Sequence, residues 1–126
     1  MATVPAHVTV PDVLFAAMSV AERSELKRFH TGAALFDERG DLISTGWSHR
    51  CEARLARYRS MHAEHHALRR ARWADVHGGV AAVATVSARG NWTTSAPCDE
   101  CASILQQAGI VTVYYTTPDG WDVIYL

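Results

Sequence analysis

Two short stretches of the chain carry residue types fit for chemistry: His62-Ala63-Glu64 and, further along, Pro97-Cys98-Asp99-Glu100-Cys101. Zinc takes imidazole nitrogen and thiolate sulfur, and a catalytic zinc keeps three protein ligands with the fourth position left to water. Cys98 and Cys101 are spaced by one helical turn, so both sulfurs can face one point. A helix N-terminus beneath them adds positive potential that favours the thiolate. His62 can supply the third ligand. Glu64, two residues on, points elsewhere around a helix, and a loose first turn lets its carboxylate reach the water without ligating the metal. Three ligands, one water and one base make a hydrolytic site. The cysteine count agrees: Cys51, Cys98 and Cys101 are an odd number, and two of them lie too close together for a disulfide framework.

The elements that must position these groups follow from hydrophobic patterning. The chain has 126 residues, 48% of them hydrophobic, which fits one globular domain over 1–126 with a single modest core. Residues 11–28 show apolar positions at helical spacing after Pro11 and Asp12 and predict one or two helical segments. Two apolar runs, Ala33 to Phe36 and Leu42 to Thr45, flank the polar turn Asp37-Glu38-Arg39-Gly40 and predict a hairpin. A helix is expected from Ser60 to about Asp75, stopped by His77-Gly78-Gly79. The apolar run 80–88 reads as a buried strand. Pro97 opens a helix that runs to Gln107 and is closed by Gly109, and the β-branched, aromatic run 110–116 follows as a strand. The tail from Trp121 to Leu126 can add another. Strands joined through helices imply parallel neighbours, so the expected class is α/β: a three-layer α/β/α sandwich on a mixed central sheet of four to five strands.

Charge is unevenly spread. The net charge is −1, yet residues 49 to 72 hold seven arginines against two acids, Glu52 and Glu64. Most of these arginines suit a solvated helix face. Arg50, Arg54, Arg57 and Arg59 precede His62 in an expected loop, and their planar forks suit phosphate oxygens. No window reaches the roughly 18 apolar residues that a membrane span needs, and the start of the chain lacks a basic, then apolar leader pattern. A soluble, cytoplasmic protein without a membrane partner is expected.

The pattern His-x-Glu followed by Pro-Cys-x-x-Cys resembles that of the zinc nucleobase deaminases of the cytidine deaminase superfamily. The resemblance runs from about residue 20 to the end. Within the superfamily the chain looks most like the deoxycytidylate deaminases, through "ERSELKRFHTGAALFDERGDLISTGW", through histidine in "HAE", and through "SAPCDECASILQQAGIVTVYY". It implies Zn2+ on His62, Cys98 and Cys101, with Glu64 moving protons from water to ring N3 and then to the leaving amine. It also implies that the Ala63 N–H holds the base carbonyl and that the Ser95 or Ala96 carbonyl accepts from the substrate amine. One departure is clear. Where deoxycytidylate deaminases usually have Gly-Tyr-Asn-Gly, this chain has Gly46-Trp47-Ser48-His49. Ser48 can still hydrogen-bond a sugar hydroxyl with shorter reach, and regulation by a nucleoside triphosphate is not expected.

The substrate expected is a small pyrimidine nucleotide, dCMP converted to dUMP and ammonia. Free cytidine or deoxycytidine, another base or a blasticidin-like drug remain alternatives, as does nucleic acid in the manner of tRNA adenosine deaminases. Polymeric nucleic acid is disfavoured because the basic island is local and the whole chain slightly acidic. A non-enzymatic alternative is a closed zinc site with Cys51 as fourth ligand. His65 and His66 are expected to be packing or surface residues, since the zincin pattern is absent. Trp92 is the aromatic expected at the site mouth. Superfamily members of this size usually assemble, so a homo-oligomer is expected by analogy, with the aromatic tail at an interface.

Overall fold

The computed structural model describes residues 10–50 and 60–126. Helix α1, Asp12–Ala21, starts after Pro11 and buries Leu14, Ala17, Met18 and Ala21 along one stripe, the i, i+3, i+4, i+7 pattern of an amphipathic helix. It ends earlier than the sequence periodicity suggests. Ser24 turns its hydroxyl to the Ser48 hydroxyl (2.9 Å) and toward the Leu26 N–H (3.4 Å), the local competition by which serine leaves a helix.

Strands β1, Phe29–Phe36, and β2, Leu42–Trp47, form the expected hairpin. Its turn is built on Asp37, whose carboxylate accepts from the Arg39 and Asp41 N–H groups at 2.9 Å each. The pairs His49–Arg50 (β3) and Ser60–Met61 (β4) then make a small separate ladder. Ser60 and Met61 are therefore strand, and the helix expected from Ser60 begins only at Ala63. This helix, α2, is Ala63–Arg69. It stops short because the Arg70 N–H is shared between the His66 and Ala67 carbonyls at 3.2 Å each, a tightened last turn. Arg72 is extended before the short α3, Trp73–Val76. Strands β5, Val80–Ser87, and β6, Trp92–Thr93, precede α4, Asp99–Gln107, which leads to β7, Thr112–Thr117, and β8, Gly120–Tyr125.

The main sheet runs β2-β1-β5-β7-β8, with β6 beside β5 making six strands. Among the described strands only the pair β5 and β7, joined through α4, is parallel. The α2–α3 connection from β2 to β5 leaves β1 between its strands, and β1 pairs β5 antiparallel. The sheet is mixed, with helices on both faces. One face carries α2 and α4 over Ala33, Leu35, Ala81, Val83 and Val113. The other carries α1 over Ala34, Phe36, Ala82 and Ala84.

Small residues let the helices lie close. A Cβ on Gly46 would stand 2.3 Å from the Ala67 nitrogen and 2.5 Å from the Ala63 oxygen, so β2 and α2 touch backbone to backbone. Gly32 meets α1 in the same way on the opposite face, 2.1 Å from the Ala17 oxygen. Among the described residues no helix is long and apolar enough to cross a membrane.

Candidate active site

The N-termini of α2 and α4 converge over the sheet. His62 is the residue before α2, in extended conformation. Cys98 holds the same place before α4, its sulfur 3.5 Å from the Cys101 N–H. Asp99 and Glu100 in the first turn of α4 suit the positive end of the helix. His62 Nδ1 lies 3.2 Å from Cys101 Sγ and 4.0 Å from Cys98 Sγ. All three donor atoms fall within 4.8 Å of one another. Tetrahedral zinc with these ligand types spaces its donors about 3.5–3.8 Å apart, so the set fits zinc with small adjustments. The chemistry of Cys101 points the same way. Burial, then the nearby Glu64 carboxylate, pushes its thiol far above the usual thiol range, so a cation beside it is what makes the thiolate accessible.

Glu64, the second residue of α2, is 6% exposed. Burial pushes its carboxyl above the ordinary 4.5, while its own backbone N–H and the neighbouring His62 and His65 pull part of the way back. A carboxyl raised in this way holds a proton more readily than a solvated one, which suits a group that must take up a proton and pass it on. Ala63 is the first residue of the helix, so its N–H has no partner within the helix.

His62, Ala63, Glu64 and Cys98 line a cavity of about 530 Å3 together with Ser48, Ser95 and Ala96. Leu26, Phe29, Thr31, Val83, Thr85, Thr93 and Thr94 complete it. The structure thus brings to one cavity most of the residues singled out from the sequence. Ser48 accepts from the Thr31 N–H at 3.1 Å and pairs with Ser24 at 2.9 Å, leaving its hydroxyl capacity for one more bond. The Thr31 and Thr85 hydroxyls, opposite one another on β1 and β5, bond at 2.9 Å. These threonines escaped sequence reading. The only signal was a polar residue inside the otherwise apolar run of β5.

The remaining expectations have mixed outcomes. Trp92 is not at the mouth: it is 4% exposed in the core beneath α1, and its neighbours Thr93 and Thr94 form the wall instead. Alternation along β6 turns Trp92 to the α1 face. Arg50 is exposed, does not line the cavity, and donates its backbone N–H to Glu25 at 3.3 Å. Arg54, Arg57, Arg59 and Cys51 lie outside the described residues. His65 and His66 stay out of the donor cluster. His66 Nδ1 accepts from the Trp47 N–H at 3.1 Å, and its ring packs edge-on against Trp47 and His49.

A mixed sheet that presents two helix starts, one His-x-Glu and one Pro-Cys-x-x-Cys, to a shared cavity defines the zinc-dependent base deaminases. Residues 10–117 match the cytidine and deoxycytidylate deaminase zinc-binding region, and the chain belongs to that family of hydrolytic deaminases. Solved structures with the same fold include cytidine deaminase from Mycobacterium leprae, at 25% identity over 88% of this chain and 89% of that one, TM-score 0.58. The dCMP deaminase of cyanophage S-TIM5 aligns at 23% identity over 83% of this chain and 79% of that one, TM-score 0.62. Cytidine deaminase from Burkholderia pseudomallei aligns at 21% identity over 90% and 89%, TM-score 0.64. No curated protein matches the chain.

Proposed function

We propose that this deaminase hydrolyses the exocyclic amine of a free cytosine nucleotide, with dCMP preferred, releasing dUMP and ammonia. The observation that carries the nucleotide reading is where the arginine-rich segment is tethered. Ser48 and His62 both line the cavity, and the residues next to them in sequence, His49–Arg50 and Ser60–Met61, pair with one another. Arg54, Arg57 and Arg59 belong in sequence to the segment between these two strands and are the candidates to meet a 5′-phosphate. A cavity of about 530 Å3 suits a whole nucleotide.

His62, Cys98 and Cys101 would hold zinc, which supplies Lewis acidity and an activated water nucleophile at neutral pH. Glu64 takes the proton of the attacking water and delivers it to ring N3 as the C4–O bond forms; it then takes the proton of the new C4 hydroxyl and passes it to the amine, so that C4=O forms as the C4–N bond breaks and ammonia leaves. The Ala63 N–H donates to the base carbonyl, and the Ser95 or Ala96 carbonyl accepts from the amine. Ser48 offers its remaining bond to a sugar hydroxyl. The net charge of −1 supports a free nucleotide over polymeric nucleic acid. Exposed aromatics on β8, with Tyr125 77% exposed, support a homo-oligomer, and light scattering tests it: a mass equal to one chain refutes assembly.

A free nucleoside is the second reading, favoured by a described cavity wall whose neutral polar groups are hydroxyls, without an arginine. The test is ultraviolet-monitored deamination of dCMP, CMP and deoxycytidine side by side by the zinc-loaded protein. Strong preference for dCMP supports the nucleotide reading. Equal turnover of deoxycytidine refutes it.

A further inference from the structure

Beside the cavity two parallel strands part company. The β5–β7 ladder runs from Val80–Thr112 to Val83–Tyr115 and then gives out. The next N–H in line, that of Thr116, donates to Ser95 Oγ at 3.0 Å, and Ser95 Oγ donates to the Val83 carbonyl at 2.7 Å. A second hydroxyl repeats the arrangement. Thr85 and Thr93 are register partners of β5 and β6, yet the Thr85 N–H donates to Thr116 Oγ1 at 3.1 Å and Thr116 Oγ1 donates to the Thr93 carbonyl at 2.8 Å. The two hydroxyl oxygens lie 2.9 Å apart, and the Ser95 N–H closes the unit on the Thr116 carbonyl at 3.0 Å. Thr116 is fully buried and Ser95 nearly so.

Each hydroxyl therefore stands between a backbone donor and a backbone acceptor, widening the sheet just where the segment from Thr93 to Cys98 enters. That segment has no regular structure between Thr94 and Cys98. It carries the carbonyls of Ser95 and Ala96 and, at its end, the Cys98 sulfur. We infer that Thr116, acting with Ser95, is a positioning residue: its hydroxyl sets the height of the Thr93–Cys98 segment, and through it the Cys98 sulfur and the carbonyl that receives the substrate amine. The part about the amine rests on the deamination reading above; the part about Cys98 stands without it. Valine at position 116 has nearly the same shape but no hydroxyl, and it would leave the Thr85 N–H and the Thr93 carbonyl buried without partners. The segment must then move to find new ones. Serine keeps the relay.

The experiment compares Thr116→Val, Thr116→Ser and a core truncation under α1, Met18→Ala, as a control of similar thermal cost. Zinc affinity is measured by competition with a chromophoric chelator, ligand geometry by the visible spectrum of the cobalt-substituted protein, and kcat and KM on dCMP. The expected result is a loss of about tenfold to a hundredfold in zinc affinity and in kcat for Thr116→Val, with a shifted cobalt spectrum and little change in KM. Thr116→Ser restores all three, and Met18→Ala leaves them near wild type. Zinc affinity and cobalt spectrum unchanged in Thr116→Val overturn the inference, as does an equal loss in Met18→Ala. If Thr116→Val fails to fold, Ser95→Ala, which removes the other relay, is judged by the same criteria. A wild-type protein inactive on cytosine nucleotides would refute the substrate reading, while the affinity and cobalt measurements still decide the role of Thr116.

Discussion

Substituting Gly46 by alanine should cost this enzyme activity out of proportion to stability. The added Cβ would sit 2.3 Å from the Ala67 nitrogen and 2.5 Å from the Ala63 oxygen, where ordinary contacts begin near 3.4–4.0 Å. Both obstacles are backbone atoms, so no side chain can swing aside. Helix α2 must back away by about 1 Å, at an overpacking cost of about 1–3 kcal/mol, or roughly 4–15 °C in melting temperature for a domain of this size. The same shift carries His62, Ala63 and Glu64 away from Cys98 and Cys101. A misplacement of about 1 Å can cost roughly a hundredfold in rate. Gly32→Ala provides the comparison, because its Cβ would meet the Ala17 oxygen at 2.1 Å and displace α1, which bears none of these groups. Both variants should melt earlier. When kcat is measured well below both melting temperatures, Gly46→Ala should fall by about two orders of magnitude and Gly32→Ala by far less. Equal losses in the two, or full activity in Gly46→Ala, would refute the reasoning that α2 is seated by this contact.

Three further outcomes are expected. Glu64→Gln should keep its zinc and its melting temperature while kcat drops by about 10²–10⁴; retained turnover would remove Glu64 from proton transfer. Chelation of zinc should lower the melting temperature, the protein losing about 4 kcal/mol of stability relative to protein held at free zinc a thousandfold above Kd, and Cys98→Ser should abolish that dependence. A scan indifferent to zinc and to Cys98 would exclude this donor set. Burial, then His49 and Arg70, lowers the pKa of His66 below 6.5, and the Trp47 N–H, which can only donate, requires the neutral ring. The unfolded chain therefore binds that proton first, so stability falls as pH drops below 6.5 until folded His66 titrates as well. His66→Gln should flatten this slope in melting temperature against pH, and an unchanged slope would exclude His66 as its source.

Much of this site could be read from spacing, because metal chemistry constrains residue type and interval together. Cys98 and Cys101 one turn apart, with Pro97 before them, leave few other uses for two thiols. Strand and helix order was legible wherever apolar runs were bounded by turn residues, as in the Asp37 to Gly40 turn and at Gly109. The misses share a cause, since each depends on a partner distant in sequence. Ser60 and Met61 scan as helix until His49 and Arg50 pair with them. Residues after Ala21 leave the helix because Ser24 meets Ser48. Trp92 looks like a mouth residue until β6 pairs with β5 and turns it into the core. Ser95 attracted notice for its carbonyl, whereas its hydroxyl and that of Thr116 shape the opening of the sheet.

The outer strands of the sheet, β2 and β8, each have one N–H occupied by a side chain. Trp47 on β2 gives its N–H to His66, and Val123 on β8 gives its N–H to the Asp122 carboxylate at 2.8 Å. Such plugs deny a docking strand one of the donors it would need, which guards against edge-to-edge aggregation. The two plugs differ in their response to acid. A carboxyl group keeps acceptor capacity when it gains a proton, but a doubly protonated imidazole has none. Once acid protonates folded His66, the β2 edge therefore loses its guard while the β8 edge keeps it, so acid-induced self-association should begin along β2, and crosslinks formed there should map to the strand that ends at Trp47.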